Sequence, residues 1–188
     1  MKFLTYRYRM FGPRAGVLKD GRVVDLTALL HAKQTITDIG MLLENYEDAA
    51  EKVRKALDEQ PDAETLALDE VSLMAPILNP PTIRDASVFE RHVVNAGKNN
   101  GVGTPPVWYK VPLYYFQSTN VVTGPEDSVA RKPGSKSLDY EAEVALVIAK
   151  RGKNLKEEEA LDYVFGLTIY NDWSDRDMCT FEVGFLGL

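Results

Sequence analysis

The chain has 188 residues, 45% hydrophobic and 27% charged, a composition that fits a folded globular protein and excludes a disordered one. The net charge of −6 and the pI near 5.0 argue against nucleic acid or an anionic membrane as the main partner, because both demand a basic face. A single cysteine, Cys179, leaves no internal disulfide and points to a reducing compartment.

At the N-terminus, Arg7 and Arg9 interrupt any signal-type apolar run. No stretch approaches the roughly 20 apolar residues of a membrane span, so the expected setting is cytoplasmic. Lys2–Tyr8 and Ala15–Leu18 alternate as strands do, and Asp20-Gly21 between Leu18 and Val23 predicts a tight hairpin. From Thr37 to Leu57 the apolar residues Ile39, Leu42, Leu43, Tyr46, Ala50, Val53 and Leu57 follow a helical period. Val71–Ile77 reads as a strand, stopped by Asn79-Pro80-Pro81. This first module, residues 1–75, carries no chemical constellation: His31 lacks an acidic neighbour and reads as structural or surface.

Beyond it, the pattern predicts a helix over Ser87–Asn95, a Gly/Asn/Pro loop over Gly97–Pro106, and aromatic strands at Trp108–Phe116 and Thr119–Thr123. The lone Gly101-x-Gly103 lacks the strand-turn-helix frame of a nucleotide site and reads as loop glycines. Tyr140–Ala149 is a strand, Asn154 and Glu157 have the spacing of a helix capping box, and Val164–Tyr170 is a strand leading into Asn171-Asp172-Trp173-Ser174. The sequence closes on Phe185-Leu186-Gly187-Leu188, an apolar ending that points to a chain cut short of a solvated terminus.

The chemistry concentrates in Asp139-Tyr-Glu-Ala-Glu-Val-Ala-Leu-Val-Ile148. Strand alternation puts Tyr140, Ala142, Val144, Leu146 and Ile148 on one face and Glu141, Glu143, Ala145 and Val147 on the other. Apolar residues on both faces predict an interior strand covered on both sides. Two neighbouring carboxylates on such a face need protonation, an Arg or Lys partner, or a hard divalent cation; a solvated strand end is the bland alternative. Asp172, at the exit of the next strand, strengthens the cation reading, although Asp172 or Ser174 at a helix N-cap fits the same spacing. Asp85 and His92 lie seven residues apart, on one stripe if a helix begins near Asp85, with His92 as a candidate general base. The alternative is a half-buried histidine packed on Phe89 and Val93, with Asp85 as helix cap. Cys179 has no companion histidine nearby and is not read as a nucleophile.

These segments, with Tyr163-Val-Phe-Gly-Leu-Thr-Ile-Tyr-Asn-Asp-Trp-Ser-Asp-Arg-Asp177 and Arg84-Asp85-Ala-Ser-Val-Phe-Glu-Arg-His92, resemble the core of the fumarylacetoacetate hydrolase family over about residues 75–188. The resemblance implies an α+β fold: a mixed β-roll, incomplete here, over residues 76–188, preceded by a small α+β N-terminal module over 1–75, usually dimeric. It implies Mg²⁺, or Ca²⁺ or Mn²⁺, held by Glu141, Glu143, Asp172 and Asp85, with His92 activating water and with Arg176 and Tyr115 contacting substrate. The implied reaction is hydrolysis of a carbon–carbon bond in a β-diketo acid such as fumarylacetoacetate or an acylpyruvate. Decarboxylation, tautomerisation or dehydration on the same site, or an inactive truncated fragment, are the alternatives. The family pattern continues past this sequence with a Gly-rich, Lys-containing segment, further strands and an acidic partner for the histidine. It also often carries Gln where Cys179 stands.

Overall fold

A computed structural model describes residues 1–99 and 101–179; the apolar ending at residues 185–188 lies outside them. The chain divides into two compact units, Met1–Glu126 and Asp127–Leu188.

The first unit begins with strands β1 (Lys2–Tyr8), β2 (Arg14–Lys19) and β3 (Arg22–Asp25). Asp20 and Gly21, at φ of 52° and 77°, make the tight turn that the Asp-Gly pair predicts, with Lys19 opposite Arg22. Asp25 ends β3 and caps helix α1 (Leu26–Leu29) by accepting from the Ala28 N–H. The single helical run expected from Thr37 to Leu57 is two helices, α2 (Ile39–Asn45) and α3 (Ala49–Glu59). Asp38 caps α2 through the Met41 N–H, and Asp48 in the left-handed region separates the pair. Apolar periodicity carries across a break that backbone conformation imposes.

Strands β4 (Thr65–Ala67) and β5 (Val71–Met74) complete a five-stranded antiparallel sheet in the order β4-β3-β2-β1-β5. Leu4, Tyr6 and Val23 form a buried cluster on one face, flanked by Tyr8, Leu18, Leu66 and Val71. Thr5, Val17 and Val24 are buried on the other face; α1 packs against β2 and α3, and α2 against β1. Gly16 permits the close approach of this layer, since a Cβ there would meet Val23 Cγ1 at 2.9 Å and Tyr6 Cε1 at 3.0 Å.

The Tyr6 hydroxyl donates to Asp25 at 2.8 Å and Arg14 Nε to the same carboxylate at 2.6 Å, so the polar groups entering this core are satisfied. Burial pushes the Asp25 carboxyl up, yet the hydrogen bonds from Arg14, the Ala28 N–H and Tyr6 outweigh it and hold its pKa below the ordinary value. Burial, with the Asp25 carboxylate beside it, pushes the Tyr6 phenol up.

The remainder of this unit pairs β6 (Ile83–Ala86) with β7 (Tyr114–Gln117), with helix α4 (Glu90–Asn99) between them in sequence. Three differences from the sequence expectation bear on function. Asp85 lies in β6 rather than on a helix with His92, so no shared helical stripe links them. The expected strand at Trp108–Phe116 is a 3₁₀ turn, Pro106–Tyr109, followed by β7, and residues 119–123 form no strand. The Trp108 indole donates to the Ser87 carbonyl at 2.8 Å, tying that turn to the start of α4.

In the second unit β8 (Leu138–Ile148) and β9 (Val164–Asp175) form a long antiparallel ribbon, irregular between Val147 and Ile148. Asn154 is not a helix cap: it sits at φ 56°, and the following 3₁₀ turn, Glu157–Tyr163, starts after Lys156. The Tyr140–Ile148 face expected to be covered is exposed, including Val144, Leu146, Leu167 and Ile169. Among the described residues β8 pairs with β9 alone in its sheet. No helix among them is long and apolar enough to cross a membrane.

Candidate functional site

The ribbon register explains how the acidic residues meet. Glu141 stands opposite Asp172 and Glu143 opposite Tyr170, so Glu141, Glu143 and Asp172 share the less exposed face. Asp172 therefore belongs to the strand itself, two residues beyond the expected exit at Tyr170, and is no helix cap. An oxygen of Glu143 and an oxygen of Asp172 lie within 4.8 Å of each other, the diagonal relation that neighbouring strands allow. Two half-buried carboxylates at that separation are the donor set a hard divalent cation prefers.

Glu141 has a different surrounding. Its Oε1 accepts from the Ser174 hydroxyl at 2.9 Å and pairs with Arg176 Nη1 at 2.6 Å. Arg176 also donates from Nε and Nη2 to Asp139 Oδ2, both at 3.1 Å. Burial lowers the guanidinium pKa, but the Asp139 and Glu141 carboxylates outweigh this and raise it. Of the three forms of compensation the Glu pair demanded, Glu141 thus has a cationic partner. Its second carboxylate oxygen, Oε2, makes neither of these bonds.

Ser174 and Asp139 were not singled out as site residues from the sequence. The signal was present: both share the parity of the acidic face, Asp139 with Glu141 on one strand and Ser174 with Asp172 on the other. Asp175 adds a further feature, a carboxylate whose two oxygens are buried without a hydrogen-bond partner.

Asp85, His92 and Tyr115 belong to the first unit. Asp85 stands opposite Tyr115 across β6–β7 and accepts from the Tyr115 hydroxyl at 2.9 Å and from Gln117 Nε2 at 3.2 Å. Tyr115 therefore touches a predicted metal ligand, and Gln117 is a neighbour that sequence reasoning missed. His92 is exposed in the first turns of α4, its N–H donating to the Phe89 carbonyl at 3.0 Å, which excludes the half-buried histidine reading. The helix carries His92, Val93, Ala96 and Gly97 along one side of a solvent-open cleft of about 230 Å³, faced by Val102, Gly103 and Pro105 and bordered by Ser87.

The family model described as Fumarylacetoacetate (FAA) hydrolase C-terminal matches residues 82–186. The Xenopus laevis protein named oxaloacetate tautomerase fahd2, mitochondrial, is 35% identical over 167 residues, covering 88% of this chain and 49% of that protein. The human oxaloacetate tautomerase FAHD2A, mitochondrial, is 30% identical over 181 residues, covering 94% of this chain and 54% of that protein. Among solved structures, maleylpyruvate hydrolase from Sphingobium sp. SYK-6 in complex with manganese(II) ion and pyruvate matches with a TM-score of 0.68 at 25% identity, over 94% of this chain and 60% of that one. Fumarylacetoacetate hydrolase from psychrophilic Exiguobacterium antarcticum matches with a TM-score of 0.67 at 24% identity, over 97% and 59% respectively. The chain spans about half the length of the curated relatives it matches.

Proposed function

Because the chain belongs to the fumarylacetoacetate hydrolase family, we propose that it acts on a β-diketo or related keto acid with the help of a divalent cation. The observation that carries this reading is the convergence of Glu143 and Asp172 on one face of the β8–β9 ribbon. Their carboxylate oxygens suit Mg²⁺ or Mn²⁺; Glu141 and Asp85 are the further ligands that the family resemblance implies. A bound cation would supply Lewis acidity toward the keto and carboxylate oxygens of the substrate.

The remaining work falls to side chains of this chain. His92 accepts the proton of the water that adds to the distal carbonyl; the carbon–carbon bond then breaks toward the central carbon, which is reprotonated. Arg176, bonded to Asp139 and Glu141, orients the Glu141 carboxylate. Tyr115, donating to Asp85, holds that carboxylate in the same manner. The resemblance implies substrate contacts for Arg176 and Tyr115, and these bonds add a positioning role to each.

A second reading, tautomerisation of a keto acid, is favoured by the names of the relatives at 30–35% identity. It needs the same acids and base, with His92 moving a proton between the carbon and the enol oxygen and no water consumed. Incubation with acetylpyruvate and, separately, with enol-oxaloacetate distinguishes the two: acid products mark hydrolysis, and loss of enol absorbance without cleavage marks tautomerisation. Mn²⁺ binding by this chain, followed by its paramagnetic resonance, should be lost in Glu143→Gln; full retention overturns the site. The homodimer belongs to the same proposal and is checked by light scattering. The compartment is cytoplasmic by the sequence reading, while the Xenopus and human relatives are named as mitochondrial proteins; fractionation decides between them.

A further inference from the structure

Alternation along β7 puts Tyr115 and Gln117 on one face, and register sets Asp85 opposite Tyr115 and Ile83 opposite Gln117. Gln117 is therefore the diagonal neighbour of Asp85 across the strand pair, a relation that a long side chain can span. Gln117 Nε2 donates to Asp85 Oδ2 at 3.2 Å and to the Tyr115 hydroxyl oxygen at 3.1 Å. That hydroxyl donates to the same Oδ2 at 2.9 Å. The three side chains close a ring of hydrogen bonds.

Chemistry leaves this ring one arrangement of donors. An ionised carboxylate only accepts, so the Tyr115 hydrogen and one amide hydrogen of Gln117 both turn to Asp85. The second amide hydrogen goes to the Tyr115 oxygen. Both bonds to Asp85 meet on Oδ2, and Oδ1 makes neither of them. The outer torsion of an aspartate is otherwise broad and nearly two-fold, so two bonds on one oxygen confine a rotation that the backbone leaves loose. Both donors are neutral: they orient Asp85 without pairing its charge. Glu141 is held in the other way, by the cationic Arg176.

We propose that Gln117 is a positioning residue: with Tyr115 it pins Oδ2 of Asp85 and so leaves Oδ1 as the oxygen that this residue gives to a divalent cation. The inference rests on the reading of Asp85 as a metal ligand. If Gln117 only met its own hydrogen-bonding needs at a half-buried position, its loss would act on stability and not through Asp85.

The test follows Mn²⁺ binding by the full chain, by paramagnetic resonance, around a cycle through Asp85. Gln117→Leu removes both donated bonds at nearly constant size and should weaken Mn²⁺ binding about ten-fold. In the Asp85→Asn chain, itself weakened, the same substitution should change the affinity by less than about two-fold. An equal loss in both backgrounds overturns the inference, because Gln117 would then act without Asp85. Native affinity in Asp85→Asn strikes the ligand reading, and the inference falls with it. A loss in Asp85→Asn beside native affinity in Gln117→Leu spares that reading and overturns the inference alone. Where Gln117→Leu lowers the urea midpoint, Gln117→Met, which likewise cannot donate, takes its place in the cycle with the same outcomes.

Discussion

The sheet of residues 2–74 and the β8–β9 ribbon are both antiparallel and both alternate apolar with polar side chains, yet they use the alternation in opposite ways. In the first, both faces are covered, Val17 and Val23 being fully buried on opposite faces, and the polar groups that enter are closed off by Arg14, Asp25 and Tyr6. In the ribbon the apolar face is exposed, Ile169 to 87%, and the less exposed face carries Asp139, Glu141, Glu143 and Asp172. The first region spends its hydrophobic pattern on stability. The second holds like charges close together, an arrangement that costs free energy unless a ligand or a cation compensates it.

Matched truncations break the comparison most sharply. Leu42→Ala removes a fully buried side chain and should cost about 2–5 kcal/mol in urea denaturation. A cost below 1 kcal/mol would deny that this region holds the stabilising core. Next in size, Glu143→Gln should weaken Mn²⁺ binding at least ten-fold, about 1.4 kcal/mol, by calorimetric titration, while leaving the urea midpoint of the sheet unmoved.

The acid limb of stability sharpens the contrast. The folded Asp25 carboxyl has a depressed pKa, so its contribution is fully present above the unfolded value of about 3.9 and is lost as the pH falls through the folded one. Asp25→Asn should therefore lower the urea midpoint at pH 7 by the equivalent of about 1 kcal/mol and flatten its loss between pH 4 and pH 2. An unchanged pH profile would remove Asp25 from the account. The smallest effect is expected for Ile169→Ala, within about 0.5 kcal/mol of the native chain. A large loss there would mean that the exposed face is covered in solution.

Much of this was legible in the chain. The Asp20-Gly21 hairpin follows from the need for positive φ at both turn residues, a requirement that acts over four positions. The partition of β8 into an acidic and an apolar face follows from alternation alone. The Asn154 cap and the single helix over 37–57 failed because a cap or a break is decided by one residue's dihedral angles, which Asn154 and Asp48 set to the left-handed region. The conditional stripe linking Asp85 to His92 fails because a spacing of seven is compatible with a helix but does not exclude a strand ending at Ala86.

By itself, then, the sequence determined which side chains share a strand face, where the tight turn falls, and to which family the chain belongs. Only the tertiary structure decided that Glu141 stands opposite Asp172, that Arg176 engages Asp139 and Glu141, and that Tyr115 donates to Asp85. Alternation is a property of neighbouring residues and can be read along one strand. Register belongs to two strands whose partners lie some thirty positions apart, as Glu141 and Asp172 do, and it exists only once their backbones have paired.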